Sequence, residues 1–332
     1  MSAGFLFPPA KREWLHVQRS PAAQSTYKLE RPIRMATLNC LHDHAQAELL
    51  QHAKRHDAIC RELRALDADV IGLNEVTRPL LERVLQEPWV RESFTVSVLG
   101  DDERCAKQGA TTSAAFGNVL LSKIPPASVE YIEQPGDGRH SHVMSLSITR
   151  GGAPLRMTVC STHLTAFPWL MEGRRRRQVE DLTSALTSAG NDACVVMGDF
   201  NFHREAENAS IPDGWSEVPA VVALGPTWDF GRNPMLAHYL PLRNIYNGFG
   251  LGADSSLAWP SPMRLDRVLV HGTALDCGAA KARIFADQPV DERARGRAPL
   301  PQAGRELSEA HRALPWQEYL FPSDHFGLCF EL

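Results

Sequence analysis

A series of short apolar runs, each ending in or carrying a polar side chain, constrains the fold of this chain more than any other feature. The runs cover residues 33–39, 70–73, 119–121, 155–160, 194–197, 265–270 and 327–330, and their polar residues are Asn39, Glu75, Ser122, His163, Asp199, Asp266 and His325. Runs of this length and composition are typical of buried β-strands. Because polar residues recur at their ends, we expect packed sheets that gather these side chains into a site at one edge.

Two amphipathic segments predict helices. Residues 45–66 and 171–188 carry apolar residues at helical spacing with charged residues between them. The 332 residues are 43% hydrophobic and 22% charged, which is enough to form one large core. We predict an irregular N-terminal arm over residues 1–32, a single domain over 33–332 and a long surface loop at about 287–315, where periodicity is weak.

Charge and cysteine content narrow the functional classes. The net charge of −4 excludes a generally basic surface, so a phosphate-bearing partner would have to bind a local basic patch. The seven cysteines form no C-x-x-C pair, which disfavours a zinc site or a disulfide framework and favours a reducing compartment. The N-terminal apolar stretch is too short and proline-rich for a signal peptide, and no apolar run is long enough to span a membrane. We therefore expect an intracellular protein of the cytoplasm or nucleus.

The motif Gly198-Asp199-Phe200-Asn201, which follows a predicted buried strand, carries the strongest chemical signal. Glycine permits a tight turn there. Asp199 can accept a proton from water or orient it, and Asn201 can donate to a phosphate oxygen without adding repulsive charge. The alternative is an ordinary Gly-Asp-Asn turn.

A second signal lies near the chain end, where Asp324 and His325 precede the last predicted strand. A histidine there can bind a phosphoryl oxygen and stabilise developing charge. Asp266 lies within another apolar strand and needs a partner. Hydrogen bonding to a histidine would supply one, and a salt bridge to Arg264 or Arg267 is the alternative.

Weaker candidates complete the set. Glu75 can bind Mg²⁺, which takes one or two carboxylates and keeps several waters. Asn39 can orient a carboxylate or phosphate, while His163 and Asn118 lie where they can contact a phosphate. Each of these four residues alone is also compatible with a turn, a cap or a packed side chain.

Together and in this order, these residues resemble the endonuclease/exonuclease/phosphatase superfamily. It includes abasic-site endonucleases, DNase I-like nucleases, deadenylases, inositol phosphatases and neutral sphingomyelinases. The resemblance covers roughly residues 33–332. It implies the α/β class and a DNase I-like four-layer α/β sandwich, in which two packed mixed β-sheets are flanked by helices.

The resemblance also implies a metal site. Glu75 would be the main Mg²⁺ ligand, helped by Asn39 and by Asp324 through water, with Mn²⁺ as a substitute. Many members have an aspartate two positions after the first asparagine, whereas this chain has Leu41 there and Asp43 shortly afterwards.

The implied chemistry is in-line attack by water on phosphorus, without a covalent enzyme intermediate. Asp199 would activate or orient the water, while Asn201 and His163 would hold the phosphate. His325, oriented by Asp266, would stabilise the transition state.

Within the superfamily, the C-terminal third is most similar to the 5′-tyrosyl-DNA phosphodiesterases. The element Thr227-Trp228-Asp229 matches a tryptophan beside the substrate groove of that family. Trp228 would stack on a base or aromatic leaving group, or alternatively pack in the core. Arg204 lies one place after His203, where the family has an arginine, and with Asn118 it completes the predicted substrate-binding set.

We therefore predict a Mg²⁺-dependent phosphodiesterase acting on a phosphate ester of nucleic acid, with 5′-tyrosyl-DNA ends in DNA repair as the candidate substrate. A sugar- or lipid-phosphate esterase of the inositol phosphatase or sphingomyelinase type is the alternative, which Leu41 supports and Trp228 opposes. A non-catalytic binding module on the same fold is a third hypothesis, which the near-complete residue set disfavours. No feature predicts a protein partner.

Overall fold

The computed structural model describes residues 4–8, 13–16, 27–43, 47–99, 116–136, 138–166, 171–229, 231–236, 262–295 and 313–332. The strands are β1 (Phe5–Leu6), β2 (Leu15–His16), β3 (Tyr27–Leu29), β4 (Arg34–Asn39), β5 (Val70–Thr77), β6 (Thr95–Val96), β7 (Phe116–Ser122), β8 (Pro126–Glu133), β9 (His140–Arg150), β10 (Ala153–His163), β11 (Ala193–Asp199), β12 (Trp215–Glu217), β13 (Asp266–His271), β14 (Lys281–Phe285) and β15 (Gly327–Glu331). The helices are α1 (Ala47–Leu50), α2 (His52–Leu66), α3 (Arg78–Gln86), α4 (Pro88–Ser93), α5 (Glu172–Ser188), α6 (Pro219–Val222) and α7 (Trp316–Tyr319), with short 3₁₀ turns at Glu205–Ser210 and Glu292–Ala294.

The strands form two mixed sheets. In the described part of the chain, the first sheet has the order β14-β15-β4-β5-β7-β6-β1-β2. The second has the order β12-β13-β11-β10-β9-β3, and β8 also pairs with β9. Each sheet contains a parallel pair (β4 with β5, β10 with β11) as well as antiparallel pairs. Both sheets are therefore mixed, as the resemblance implies.

Apolar layers lie between the two sheets and on the outer face of each sheet. Between the sheets, Met35 and Val70 of the first pack with Met157 and Val195 of the second. The outer face of the first sheet is covered by α2 and α3, and the outer face of the second by α5. Because both sheets are covered on both faces, the central strands β4 and β11 are buried along almost their whole length, and the predicted four-layer α/β sandwich is confirmed.

Strand direction explains why the polar strand ends meet. The carboxyl ends of β4, β5, β10 and β11 carry the candidate residues of those strands, and parallel pairing places each pair of ends together. β13, β15 and β7 run antiparallel to these neighbours, so their amino ends reach the same edge. The predicted gathering of polar residues at one sheet edge follows from this topology.

The N-terminal segment differs from the irregular arm predicted for residues 1–32. Its described parts contain β1, β2 and β3, of which β1 pairs with β2 and β6 while β3 pairs in parallel with β9. Strands of two or three residues are too short to produce a periodic sequence pattern. The segment therefore extends both sheets at their edges.

Two other expectations are modified. The helix predicted over residues 45–66 is divided into α1 and α2, because Gln51 has a positive φ of 40°. Of the loop predicted at 287–315, the first part contains a 3₁₀ turn at Glu292–Ala294, while 296–312 lie outside the described residues. Among the described helices, none is long and apolar enough to cross a membrane.

The arginine run at the start of α5 contributes to the fold. Arg175 is fully buried, and its Nε donates to Glu207 Oε2 at 2.7 Å while Nη1 donates to the Thr165 carbonyl at 3.2 Å. Arg176, with 66% of its side chain exposed, pairs with Glu180 one turn later. Arg175 is thus part of a buried ion pair, and its neighbour Arg176 is part of a solvent-exposed one.

We expect Arg175→Ala to destabilise the protein by about 3–5 kcal/mol, because it leaves the Glu207 carboxylate buried without its cation. The matched control, Arg176→Ala, should change the free energy of unfolding by less than about 0.5 kcal/mol. Urea unfolding monitored by circular dichroism compares the two variants. Equal small losses would show that the Arg175–Glu207 pair does not stabilise the fold.

Candidate active site

Asp199 lies at the centre of the polar sheet edge. Its Oδ2 accepts a hydrogen bond from Asn39 Nδ2 at 2.9 Å and lies 3.5 Å from His163 Nε2 and 3.9 Å from His325 Nε2. Its Oδ1 accepts from the Asn201 backbone N–H at 2.8 Å. Side chains from both sheets therefore surround one buried carboxylate, as the sequence predicted.

The turn that presents Asp199 requires the glycine before it. Gly198 has φ +140°, and a Cβ at this position would lie 2.0 Å from the backbone oxygen of Thr162 on the paired strand β10. After Asp199, Asn201 takes a left-handed conformation (φ 50°) and donates from Nδ2 to the Leu164 carbonyl at 3.0 Å. Close packing of the β11 backbone against that of β10 thus positions the Asp199 carboxylate.

Glu75 reaches the same centre from the first sheet. It lies in a bulge of β5 with φ 54°, a conformation that is uncommon for residues other than glycine and concentrates at functional sites. Its Oε1 accepts from Asn39 Nδ2 at 3.2 Å and lies 3.8 Å from His163 Nε2. Oε2 accepts from the His42 backbone N–H at 3.0 Å. Asn39 therefore bridges Glu75 and Asp199.

His325 forms a hydrogen-bonded pair with Asp266, which is one of the two alternatives that the sequence offered for this aspartate. Its Nδ1 lies 2.8 Å from Asp266 Oδ2, and both residues are buried. Ser323 Oγ donates to the Asn39 carbonyl at 2.5 Å and lies 3.2 Å from Asp324 Oδ1. Ser323 thus connects the segment that carries His325 to the end of β4.

Burial and neighbouring charges assign different protonation states to the two histidines. Burial, assisted by the charge of Arg139, lowers the pKa of His163 well below its usual range. Burial alone would also lower the pKa of His325, but the charges of Asp266, Asp324 and Asp199 outweigh it and raise that pKa well above its usual range. His163 is therefore neutral and His325 cationic at neutral pH.

The pKa of Asp199 responds to the same surroundings. Burial raises it to about 7; the cationic His325 opposes this effect and the negative charge of Asp266 adds to it. A carboxylate whose pKa lies close to the operating pH has the proton affinity expected of a general base.

Asn118 supports the centre through Asn74, a residue that is not among the candidates predicted from the sequence. Asn118 Oδ1 accepts from Asn74 Nδ2 at 2.8 Å, and Asn74 Oδ1 accepts from the Asp199 N–H at 3.0 Å. Asn118 Nδ2 donates to the His140 carbonyl at 2.7 Å. These bonds favour a supporting role for Asn118, while direct substrate contact stays a prediction.

The other predicted substrate-binding residues are Trp228 and Arg204. Trp228 is only 7% exposed, and its backbone pairs with Met263 through hydrogen bonds of 2.8 and 3.0 Å. This burial favours the packed alternative over stacking on a substrate base. Arg204 is exposed at the start of the 3₁₀ turn Glu205–Ser210, where its N–H donates to Glu207 Oε1 at 3.3 Å.

The loop after β4 is fixed by a buried arginine that sequence reasoning missed. Arg55 of α2 donates from Nη2 to the carbonyls of Cys40 and Leu41, at 3.1 and 2.6 Å. Leu41 has φ 54° and donates its N–H to Asn39 Oδ1 at 3.0 Å. The helical periodicity of α2 gave no sign that one of its charged residues points inward.

Asp43 also stabilises this loop. Its carboxylate accepts from His56 Nε2 at 2.9 Å and from the hydroxyl of Thr77 at the end of β5. Although burial alone would raise the pKa of Asp43, these two hydrogen bonds lower it to about 2. The aspartate that follows Leu41 therefore ties β5 and α2 to the loop.

The oxygen donors near Glu75 fit a hard cation bound largely through water. Among the described residues, no group of three or more His, Cys, Asp or Glu side chains is arranged as a metal site. Mg²⁺ does not need such a group, since one or two carboxylates and several waters suffice. The side chain of Glu75 is 16% exposed, so it can reach solvent. Asn39 turns its NH₂ toward the carboxylates, which favours the orienting role over direct ligation.

A known protein family matches most of the chain. Residues 36–325 match the model of the Endonuclease/Exonuclease/phosphatase family. The chain therefore belongs to this family, and the resemblance inferred from its motifs is confirmed. No curated protein sequence matches the chain.

Solved structures share the fold at low sequence identity. Truncated TDP2 of Caenorhabditis elegans has a TM-score of 0.58 and 18% identity, covering 90% of this chain and 96% of its own. TDP2 of D. rerio complexed with a single-strand DNA product has a TM-score of 0.57 and 14% identity, covering 90% and 98%. The human Nocturnin catalytic domain with bound sulfate has a TM-score of 0.52 and 15% identity, covering 91% and 94%.

Family membership indicates the class of this protein. Family membership supports hydrolysis of phosphate esters of the phosphodiesterase or nuclease type, and members of the family generally depend on a divalent metal.

Because a Cβ at position 198 would collide with the backbone of β10, we expect Gly198→Ala to destabilise the protein by about 3 kcal/mol or more. A matched control is Gly173→Ala in α5, where a Cβ meets nothing within 4 Å. That change should be neutral or stabilise by up to about 1 kcal/mol. Thermal unfolding measures both variants, and a Gly198→Ala protein as stable as wild type would refute the close approach of the two strands.

Proposed function

We propose that this chain is a divalent-metal-dependent phosphodiesterase that hydrolyses phosphate esters at nucleic-acid ends, with 5′-tyrosyl-DNA as the best candidate substrate. One observation carries the proposal. Asp199, a buried carboxylate with its pKa raised to about 7, is held among Asn39 of one sheet and His163 and His325 at the same edge.

Asp199 orients the attacking water and accepts its proton. Oδ1 is fixed by the Asn201 N–H, and Oδ2 by Asn39, so the carboxylate cannot rotate freely. A fixed orientation contributes to catalysis because the water is held in line with the bond that breaks. No covalent intermediate is required.

The two histidines act on the phosphoryl oxygens in different ways. His325 is held cationic by Asp266 and stabilises the negative charge that develops in the transition state. Neutral His163 donates a hydrogen bond from Nε2. The Asn201 amide carries two hydrogens, one of which donates to the Leu164 carbonyl, and the other serves a phosphate oxygen.

Glu75, oriented by Asn39, would hold the metal, Mg²⁺ or Mn²⁺, with Asp324 assisting through water. When bound, the metal supplies Lewis-acid polarisation of the phosphate and a template for its oxygens. The His42 N–H fixes the second oxygen of Glu75, so the carboxylate has a defined direction before any cation arrives.

Nucleic acid is the proposed substrate class because motif and fold point the same way. The Thr227-Trp228-Asp229 element resembles that of the 5′-tyrosyl-DNA phosphodiesterases, and the D. rerio structure with this fold is a complex with single-strand DNA product. A sugar- or lipid-phosphate substrate is the second candidate. It is favoured by Leu41, which stands where many members of the family have an aspartate, and by the burial of Trp228.

The substrate class is tested by offering the purified protein a 5′-phosphotyrosyl oligonucleotide, an abasic duplex, sphingomyelin and an inositol polyphosphate, each with Mg²⁺ or EDTA. We expect release of tyrosine from the oligonucleotide with Mg²⁺ and none with EDTA. Turnover of the lipid or inositol substrate alone would reject the nucleic-acid proposal, and undiminished turnover in EDTA would reject the metal requirement.

The role of Asp199 is tested by Asp199→Asn, which keeps the shape of the side chain but removes the proton acceptor. We expect kcat to fall by about a hundredfold or more with little change in the free energy of unfolding. Asp192→Asn, a change of an exposed aspartate just before β11, is the control and should keep the wild-type rate. A near-normal rate for Asp199→Asn would remove this residue from the mechanism.

A further inference from the structure

Arg139 contacts His163 of the proposed active site. None of the sequence motifs includes this arginine. Its Nη1 lies 2.9 Å from His163 Nδ1, on the side of the imidazole ring opposite to Asp199. A guanidinium has five N–H donors and no acceptor. His163 Nδ1 must therefore be the acceptor of this hydrogen bond.

This requirement selects one form of the imidazole. If Nδ1 accepts, the single proton of neutral His163 is on Nε2. Nε2 is the atom that faces Asp199 Oδ2 at 3.5 Å and Glu75 Oε1 at 3.8 Å. A proton on Nδ1 would instead point at a permanent cation, and it would leave Nε2 as a lone pair facing two carboxylates.

The turn that carries Arg139 is anchored to the strand that carries His163. The Arg139 carbonyl accepts from the Gln134 N–H at 2.7 Å, which closes the turn between β8 and β9. Gln134 Nε2 donates to Thr162 Oγ1 at 2.6 Å and to Ser141 Oγ at 2.8 Å. Arg139 and His163 are thus held at a fixed separation by buried hydrogen bonds.

Arg139 also acts on the residue after His163. Its Nη2 donates to the Leu164 carbonyl at 3.4 Å, the same oxygen that accepts from Asn201 Nδ2 at 3.0 Å. One guanidinium therefore touches both His163 and the oxygen that orients Asn201. These are the two side chains proposed to hold the phosphate.

We propose that Arg139 is a positioning residue that fixes His163 as the Nε2–H tautomer, so that its only ring proton is directed at the phosphate site. The value of this tautomer for turnover rests on the proposed function, whereas the tautomer itself does not. Arg139 needs no contact with substrate for this role.

The tautomer is measured by ¹⁵N NMR of the wild-type protein labelled at histidine and held at neutral pH. The His163 signals are assigned by their loss in His163→Gln. We expect a protonated Nε2 and an unprotonated Nδ1 in wild type. Arg139→Met, which keeps a long stem without donors, should give a mixture of tautomers, and Arg139→Lys, which keeps a donor, should retain the wild-type pattern.

Turnover of the responsive phosphate ester supplies the second readout. We expect kcat to fall about tenfold or more in Arg139→Met, as is typical when the partner that orients a functional histidine is lost, and to be largely retained in Arg139→Lys. Arg150→Met is the matched control, because Arg150 lies at the opposite end of β9 and is also half-buried. It should leave both the His163 spectrum and the rate unchanged.

The outcomes separate the two proposals. An Nδ1–H tautomer or an imidazolium in wild type, or an unchanged tautomer and rate in Arg139→Met, would overturn the role of Arg139. The expected NMR pattern without hydrolysis of any phosphate ester would leave that role standing and reject the proposed function. If Arg139→Met does not fold, the wild-type and Arg139→Lys spectra still decide, since a mixed tautomer in either contradicts the proposal.

Discussion

The site depends on the register of three neighbouring strands. His163 of β10 is the direct partner of Asp199 in β11, and Asp199 is the direct partner of Asp266 in β13. A shift of one residue in either pairing would turn one of these side chains to the other face of the sheet. Gly198, which lets β11 approach the backbone of β10, fixes this register where an added Cβ could not fit.

Packing between the two sheets brings the residues of the first sheet to those of the second. The apolar layer around Met35 and Met197 fixes the first sheet against the second, and so brings Asn39 and Glu75 to Asp199. Positive φ angles at Leu41, Glu75 and Asn201 all lie within this small region. Such conformations persist where surrounding contacts determine them, here the bonds made by Arg55, Asn39 and the β5 bulge. Three of the six residues other than glycine that have a positive φ in the described part of the chain therefore lie at this site.

Sequence reasoning could predict those parts of this arrangement that leave a local pattern. Buried strands followed by Asp199 or Glu75 indicated the sheets, and the order of the motifs indicated the family. The short edge strands β1 and β3 escaped prediction because two or three residues carry no period. Arg55 and Arg139 escaped because their contacts join residues that no sequence spacing relates. For Trp228 the motif left two alternatives open, stacking on a substrate and packing in the core, and the burial of the side chain favours packing.

The central claim is that both sheets contribute to one cation-dependent centre, with Glu75 on one side and Asp199 on the other. Crystals soaked in Mn²⁺ and measured for anomalous scattering test this claim most directly. The account predicts a single strong peak bound to a Glu75 carboxylate oxygen, beside the pocket formed by Asp199, His163 and His325, and its loss in Glu75→Gln crystals. A peak bound elsewhere, or one unchanged in Glu75→Gln, would contradict it.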